Sequence, residues 1–292
     1  MGTLTTVDQM FDARHTYATG GIFTIMVTVD DGNGGTDTST TTAVSQGVGL
    51  VDRVLYIIGT DGNDDVKLKF DNRKDELKVD TKFHHGSDGG SDGGHDKKSK
   101  GGPGGGHRGP GGGHDHFKEI YELSSIDRVV TFLCEGNDHY DGGGNGHSDG
   151  GSDGGADRKA NPDTNIGQLV FGGAGRDHLH GGRGNDGLFG GAGDDKIFGR
   201  NGHDILVGGD GRDDLKGDRG DDILIGGILD NDVDDVTIIA DIDTALAEWA
   251  SGNLADAMTS LGPIIEDNDR DRLFGKKDDD ELFGGLGDLL KP

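Results

Sequence analysis

GGAGRDHLH, GGRGNDGLF, GGAGDDKIF, GRNGHDILV, GGDGRDDLK and GDRGDDILI follow one another without a gap from Gly172 to Ile225. Position 1 of these six nonapeptides is always glycine: Gly172, Gly181, Gly190, Gly199, Gly208 and Gly217. Position 4 is glycine too, at Gly175, Gly184, Gly193, Gly202, Gly211 and Gly220, and position 2 is glycine in four copies, at Gly173, Gly182, Gly191 and Gly209. Position 6 is always aspartate (Asp177, Asp186, Asp195, Asp204, Asp213, Asp222), and position 8 is always aliphatic (Leu179, Leu188, Ile197, Leu206, Leu215, Leu224). Glycine through positions 1 to 6 predicts a turn that enters positive φ and brings main-chain carbonyls close to an ion, where a Cβ would obstruct. Aspartate then closes the turn with a charged oxygen. Positions 7 to 9 predict a minimal strand whose middle side chain points inward and whose neighbours point out. Solvated surface acids would not hold a nine-residue phase through six copies.

The composition sets the same demand. With 59 glycines, 30% apolar residues and 5% aromatics in 292 residues, the chain cannot build a thick oily core. Asp plus Glu outnumber Lys plus Arg by 55 to 28, a formal charge of −27 that repels nucleic acid and anionic membranes and calls for a cation. Carboxylate oxygens are hard ligands and suit Ca²⁺ better than Zn²⁺ or copper. The single cysteine, Cys134, rules out an intramolecular disulfide framework.

The nonapeptides resemble the RTX, or haemolysin-type, calcium-binding repeat family. That resemblance implies an all-β fold, a parallel β-roll in which two nonapeptides make one coil and repeats n and n+2 stack. Loops starting at Gly172, Gly190 and Gly208 would form one column, and those starting at Gly181, Gly199 and Gly217 the other. The ions would sit between stacked turns, about four in this block, held by the position 1, 2, 4 and 6 residues named above. The ladder Leu179, Ile197, Leu215 would face Leu188, Leu206, Leu224. Membership of this family also implies a secreted, extracellular setting, and the sequence begins without the charged-then-apolar pattern of a signal peptide, so export by another route or a start upstream is expected.

Working outward, weaker copies flank the block: GTDGNDDVK (59–67) and LCEGNDHYD (133–141) before it, EDNDRDRLF (266–274) and GKKDDDELF (275–283) after it. They are expected to be structural rungs of doubtful calcium affinity. The last stretch, GGLGDLLKP, puts Leu289 where aspartate belongs in the nine-residue frame. Residues 1–46 contain an alternating strand (22–29), a DDGNGG turn and a Thr-rich run, and HTYATGGIFTIMVTVDDGNGG resembles the end of a PKD-type immunoglobulin-like domain. Residues 47–141 predict short strands near 53–58, 66–70 and 77–83, with further strand-like sequence at 117–133. They are interrupted by a Gly/His-rich insert at 84–116 that can bury nothing. Residues 142–163 form a second Gly/Asp-rich linker, 164–227 the calcium-binding block, 228–270 a helical interruption or cap, and 271–292 terminal degenerate repeats. In the interruption, Ile242, Leu246, Trp249 and Leu254 have helical spacing, with Asp241 or Asp243 as N-cap and Gly252 as a break. This arrangement also resembles the interruption common in large bacterial members of the family.

Other motifs carry less. A flexible glycine tract gives the insert histidines (His84, His85, His95, His107, His114, His116) no fixed geometry for a transition metal. Asp230, Asp232 and Asp234 begin like an EF-hand, but Asp235 replaces the required Gly and Asp241 the required Glu. G-x-S-x-G at Ser91, Ser148 and Ser152 falls in low-complexity sequence without the strand and helix of a nucleophile elbow, and H-E-x-x-H is absent. The expectation is therefore a non-catalytic calcium-binding module with a structural, adhesion or secretion-supporting role, calcium ions as its partners, no membrane insertion and an unidentified cell-surface or matrix partner. The alternative is the C-terminal accessory region of a larger exported protease, lipase or glycan-active enzyme.

Overall fold

A computed structural model describes residues 21–30, 36–84, 114–143, 165–230, 238–265, 267, 269–276, 279–285 and 288–292. Position 8 of each repeat decides the architecture, because a three-residue strand with one buried side chain can persist only if its neighbours stack on it. The chain accordingly visits two sheets in turn. Gly167–Ala174, Gly187–Ala192, Ile205–Asp210, Ile223–Ile225 and Glu281–Phe283 pair in parallel in the first. His178–His180, Lys196–Asn201, Asp214–Arg219, Arg272–Phe274 and Leu289–Lys291 do so in the second. Repeats n and n+2 are in register, with Leu179 opposite Ile197 and Ile197 opposite Leu215, and Leu188 opposite Leu206 and Leu206 opposite Leu224. All six are fully buried in one cluster between the sheets.

The stack continues toward the N-terminus through the weaker copies. Arg128–Phe132 and Val54–Ile58 extend the first sheet in parallel, and Gly47–Val51 closes it antiparallel. His139–Asp141 and Asp65–Asp71 extend the second, followed by the antiparallel strands Glu76–His84 and His114–Glu122. Val66 and Tyr140 carry the buried row onward. The boundaries expected for the Gly/His-rich insert need correction: His84 pairs with His114 and Lys82 with His116, so the ladder claims both ends. Residues 85–113 and 144–164 lie outside the described residues, as do 1–20 and most of the EF-hand-like stretch. Gly21–Asp30 and Thr36–Ser45 form an antiparallel hairpin, as their alternation predicts.

The interruption folds as two helices, α1 (Ile238–Ala250) and α2 (Leu254–Leu261), parted at Gly252, whose φ is +80°. Asp241 lies in the first turn of α1 and Asp243 inside it, so neither is the N-cap; Asn253 caps α2 by accepting from the Asp256 N–H. The helices do not close an end of the stack, because the rungs at Arg272–Phe274 and Glu281–Phe283 continue past them. They lie against the outer face of the first sheet instead. Ile242, Leu246, Trp249 and Leu261 pack there on Phe189, Ile205, Val207, Ile223 and Ile225. Trp249 Nε1 donates to the Asp221 carbonyl at 2.6 Å, and Arg128 pairs with Asp243. This covering explains why positions 7 and 9 are apolar in Ile205–Val207 and Ile223–Ile225 yet polar or mixed in His178–His180 and Lys196–Phe198. It also explains Gly187, where a Cβ would stand 3.1 Å from Ile242 Cγ2.

Candidate metal-binding site

The turns between strands place the six position-6 aspartates in two columns along the edges of the stack. In the first, each aspartate N–H donates to Oδ1 of the next: Asp64 to Asp138, Asp138 to Asp177, Asp177 to Asp195, Asp195 to Asp213, Asp213 to Asp271 and Asp271 to Asp288, at 2.6 to 3.0 Å. In the second, Gln168 donates to Asp186, Asp186 to Asp204, Asp204 to Asp222 and Asp222 to Asp280, at 2.8 to 3.0 Å. One oxygen of each carboxylate is thus spent on register. The other, Oδ2, is buried and has no hydrogen-bond partner in Asp138, Asp177, Asp195, Asp204, Asp213, Asp222 and Asp271. A row of orphaned carboxylate oxygens costs several kcal/mol, on the order of 1–3 per group, unless a cation or proton satisfies it.

Each glycine position has its own reason. At position 1 the obstacle is close approach: a Cβ on Gly172 would lie 2.5 Å from both Asp177 Oδ2 and the Gly190 carbonyl oxygen of the next rung. The same pairing of a carboxylate oxygen with the next rung's glycine carbonyl surrounds Gly181, Gly190, Gly199 and Gly208, which makes five such cradles. Backbone conformation demands glycine at most of positions 2 and 4, with φ of +99° at Gly173, +140° at Gly175, +103° at Gly191 and +135° at Gly193. At Gly182 and Gly184 the obstacle is close approach instead, a Cβ on the first running into Gln168 Nε2 and on the second lying 2.7 Å from the Ile166 carbonyl oxygen. Arg200 and Asp218 occupy position 2 at φ of +79° and +77°, strained for side chains with a Cβ. Positions 3 and 5 vary in residue type from copy to copy.

Burial raises the affinity of these carboxyls for a proton. It pushes Asp177 up to about 6, Asp195 and Asp271 to about 7 and Asp213 to about 8, with neighbouring aspartates adding to the effect at the last three. Asp186, Asp204 and Asp222 are raised as well, by the same burial. The donors on offer are one carboxylate oxygen and main-chain carbonyls at each rung, the hard set that fits Ca²⁺. Among the described residues no three His, Cys, Asp or Glu side chains converge as a thiolate or imidazole site would require.

Several residues escaped the nine-residue frame. Gly226 takes position 1 of the rung completed by Asp271, since a Cβ there would lie 2.5 Å from Asp271 Oδ2, and its carbonyl faces the cradle at Gly208. The helical interruption is therefore spliced into one turn, and Asp213 and Asp271, like Asp222 and Asp280, are 58 residues apart where stacked aspartates within the six-copy block are 18 apart. Gly226 adds a third gap to the first column, where the frame counts two. Asp288, not Leu289, fills position 6 of the last rung, because that turn is one residue shorter: Gly285 N–H donates to Asp288 Oδ2, and Leu290 falls opposite Leu273. Among the early rungs protein groups fill three of the positions instead, although Asp138 keeps its unpartnered Oδ2. Leu133 occupies position 1 where a glycine would leave a cradle, and its side chain is fully buried. Asp64 accepts from the Thr60 hydroxyl and the N–H groups of Thr60 and His84. Gln168 stands where the second column would have another aspartate. Its Nε2 donates to the Gly142 carbonyl at 2.8 Å and its Oε1 accepts from Tyr140 Oη at 2.9 Å. Only the paired turns themselves could have revealed that substitution.

No curated protein and no solved structure matches the chain. One family does, described as the RTX calcium-binding nonapeptide repeat (4 copies), over residues 169–197, 198–233 and 267–288. The match begins beyond the N-terminal hairpin and the early rungs. Those three stretches are thus similar to RTX calcium-binding nonapeptide repeats.

Proposed function

We propose that the stacked turns hold Ca²⁺ between rungs, and that the chain is an extracellular calcium-binding β-roll module that folds on binding the ion and serves a structural, adhesion or secretion-supporting role. The observation that carries this reading is the row of buried, unpartnered Oδ2 atoms facing the next rung's carbonyl oxygens. Asp177, Asp186, Asp195, Asp204, Asp213 and Asp222 would supply charged ligands. Gly172, Gly181, Gly190, Gly199 and Gly208 would leave the space, and Gly226 would complete the first column. The ion would supply the positive charge that lets closely stacked carboxylates stay ionised. Millimolar calcium outside cells suits sites of this hard, flexible type, whose affinities reach roughly 10⁻⁴ to 10⁻³ M. Among the described residues no helix is long and apolar enough to cross a membrane.

Circular dichroism on the metal-stripped protein, followed by titration with CaCl₂, tests the proposal. Strand signal is expected to appear with calcium at neutral pH, and Asp195→Ala with Asp213→Ala to raise the midpoint. A spectrum indifferent to calcium would refute it.

A further inference from the structure

Basic side chains gather on the outer face of the second sheet at the adjoining edge of the first column. A groove of about 480 Å³ opens there across successive rungs, lined by Arg176, Lys196, Arg212, Arg270 and Arg272, with Asp194 and Asp214 as the only outward carboxylates. Asp195 and Asp213 also border it, but their carboxylates are buried. Arg176 and Arg212 share a single oxygen of Asp194, each at 2.9 Å, so most of both guanidinium forks stays free, and their side chains are 62% and 65% exposed. Arg272 pairs with Asp214, while Arg270 and Lys196 are exposed. Five cations against two carboxylates make this a positive strip on a chain of net charge −27.

The strip has a period. Arg176, Asp194, Arg212 and Arg270 hold equivalent places on successive rungs, as do Lys196, Asp214 and Arg272, so charges recur every ~4.8 Å along the stack. Beside them the same face carries Lys216, 4.7 Å over the Phe198 ring, and Lys291, 5.2 Å over Phe274. The other face of Phe198 is stacked on His180 at 4.6 Å. With both of its faces covered, Phe198 offers no platform for a nucleobase, which single-stranded nucleic acid binding uses. The broad charge of a duplex would meet the acidic remainder of the protein. A thin polymer with carboxylates at regular intervals fits the groove, because guanidinium forks match carboxylate geometry and the groove is of small-ligand size.

We infer that this groove binds an acidic polysaccharide lying along the axis of the stack. The inference rests on the proposed function only in requiring assembled rungs. It is tested by titrating hexagalacturonate into the full chain in calcium buffer by calorimetry, with oligo-dT and poly-glutamate as comparison probes and circular dichroism on the same samples. The combined variant Arg212→Asp, Arg270→Asp and Lys196→Glu is expected to lose binding at least about tenfold. Its fold is expected to persist, because equivalent places already carry Asp194, Asp221 and Asp214. Arg219→Asp, on the opposite edge, is expected to bind as the parent does. Absence of binding by assembled protein, undiminished binding by the combined variant, or equal affinity for either comparison probe would overturn the inference while leaving the calcium reading intact. Strands that assemble without calcium and still bind the glycan would overturn the calcium reading alone.

Discussion

Stripping divalent cation is expected to make assembly of the stack depend on acid. The buried carboxyls bind protons more tightly in the fold than in the unfolded chain, so the stability they contribute is full below the ordinary carboxylate range and is lost as pH rises through about 6 to 8. The size follows from burial. Asp177 holds a proton up to about pH 6, so keeping it ionised inside the fold at pH 7.5 costs roughly 3 kcal/mol; for Asp213, which holds one to about 8, the figure is roughly 5 kcal/mol. Two or three such groups rival the whole stability of an ordinary domain, about 5–15 kcal/mol. The assay is far-UV circular dichroism of protein passed over a chelating resin, scanned from pH 5 to 8.5. Strand signal is expected at pH 5, with a loss centred between about pH 6 and 8 and recovery at pH 8 on adding calcium. A stripped protein whose spectrum is the same at both extremes would show that the carboxylates do not control the fold, and the argument from orphaned oxygens would collapse.

Three further outcomes are expected. Ile197→Ala, at the middle of a fully buried ladder, is expected to cost about 2–5 kcal/mol in urea unfolding at fixed calcium, with little change in ion stoichiometry. Gly191→Ala puts a Cβ at φ of +103° against the Gly173 carbonyl and is expected to raise the calcium midpoint by far more than Ala192→Ser next to it, read by titration calorimetry. Gln168→Asp removes the amide that seals the second column and restores a carboxylate beside Gly142, so calorimetry is expected to count one more bound calcium; an unchanged count would show that the amide is not the seal.

The nine-residue spacing from Gly172 to Ile225 makes the turns, the short strands and the phase of the aspartates legible, while the two columns and the facing ladders come from the resemblance to RTX repeats. What escapes that frame is set by distant contacts. Gly226 and Asp271 form one turn although two helices separate them, and no local pattern joins them. Asp288 is hidden by a single missing residue. The apolar flanks of Leu206 and Leu224 did carry a signal, because Ile205, Val207, Ile223 and Ile225 leave one sheet with no polar exterior, whereas Lys196, Asp214 and Lys216 leave the other exposed. Reading the six copies as equivalent conceals that asymmetry, and with it the place where the helices dock.

The splice inside the turn at Gly226 has a further consequence. Ile228–Leu229 pairs antiparallel with Ile264–Ile265, so the excursion leaves and returns through a two-stranded clasp before the interrupted rung resumes. Closing a longer loop costs only about 0.6 kcal/mol for each doubling of its length. The rung's register is held from above and below by its neighbours, not by the segment spliced into it. Such a turn is a natural grafting point, where foreign cargo could replace the helices as long as it brought its own cover for the exposed apolar sheet.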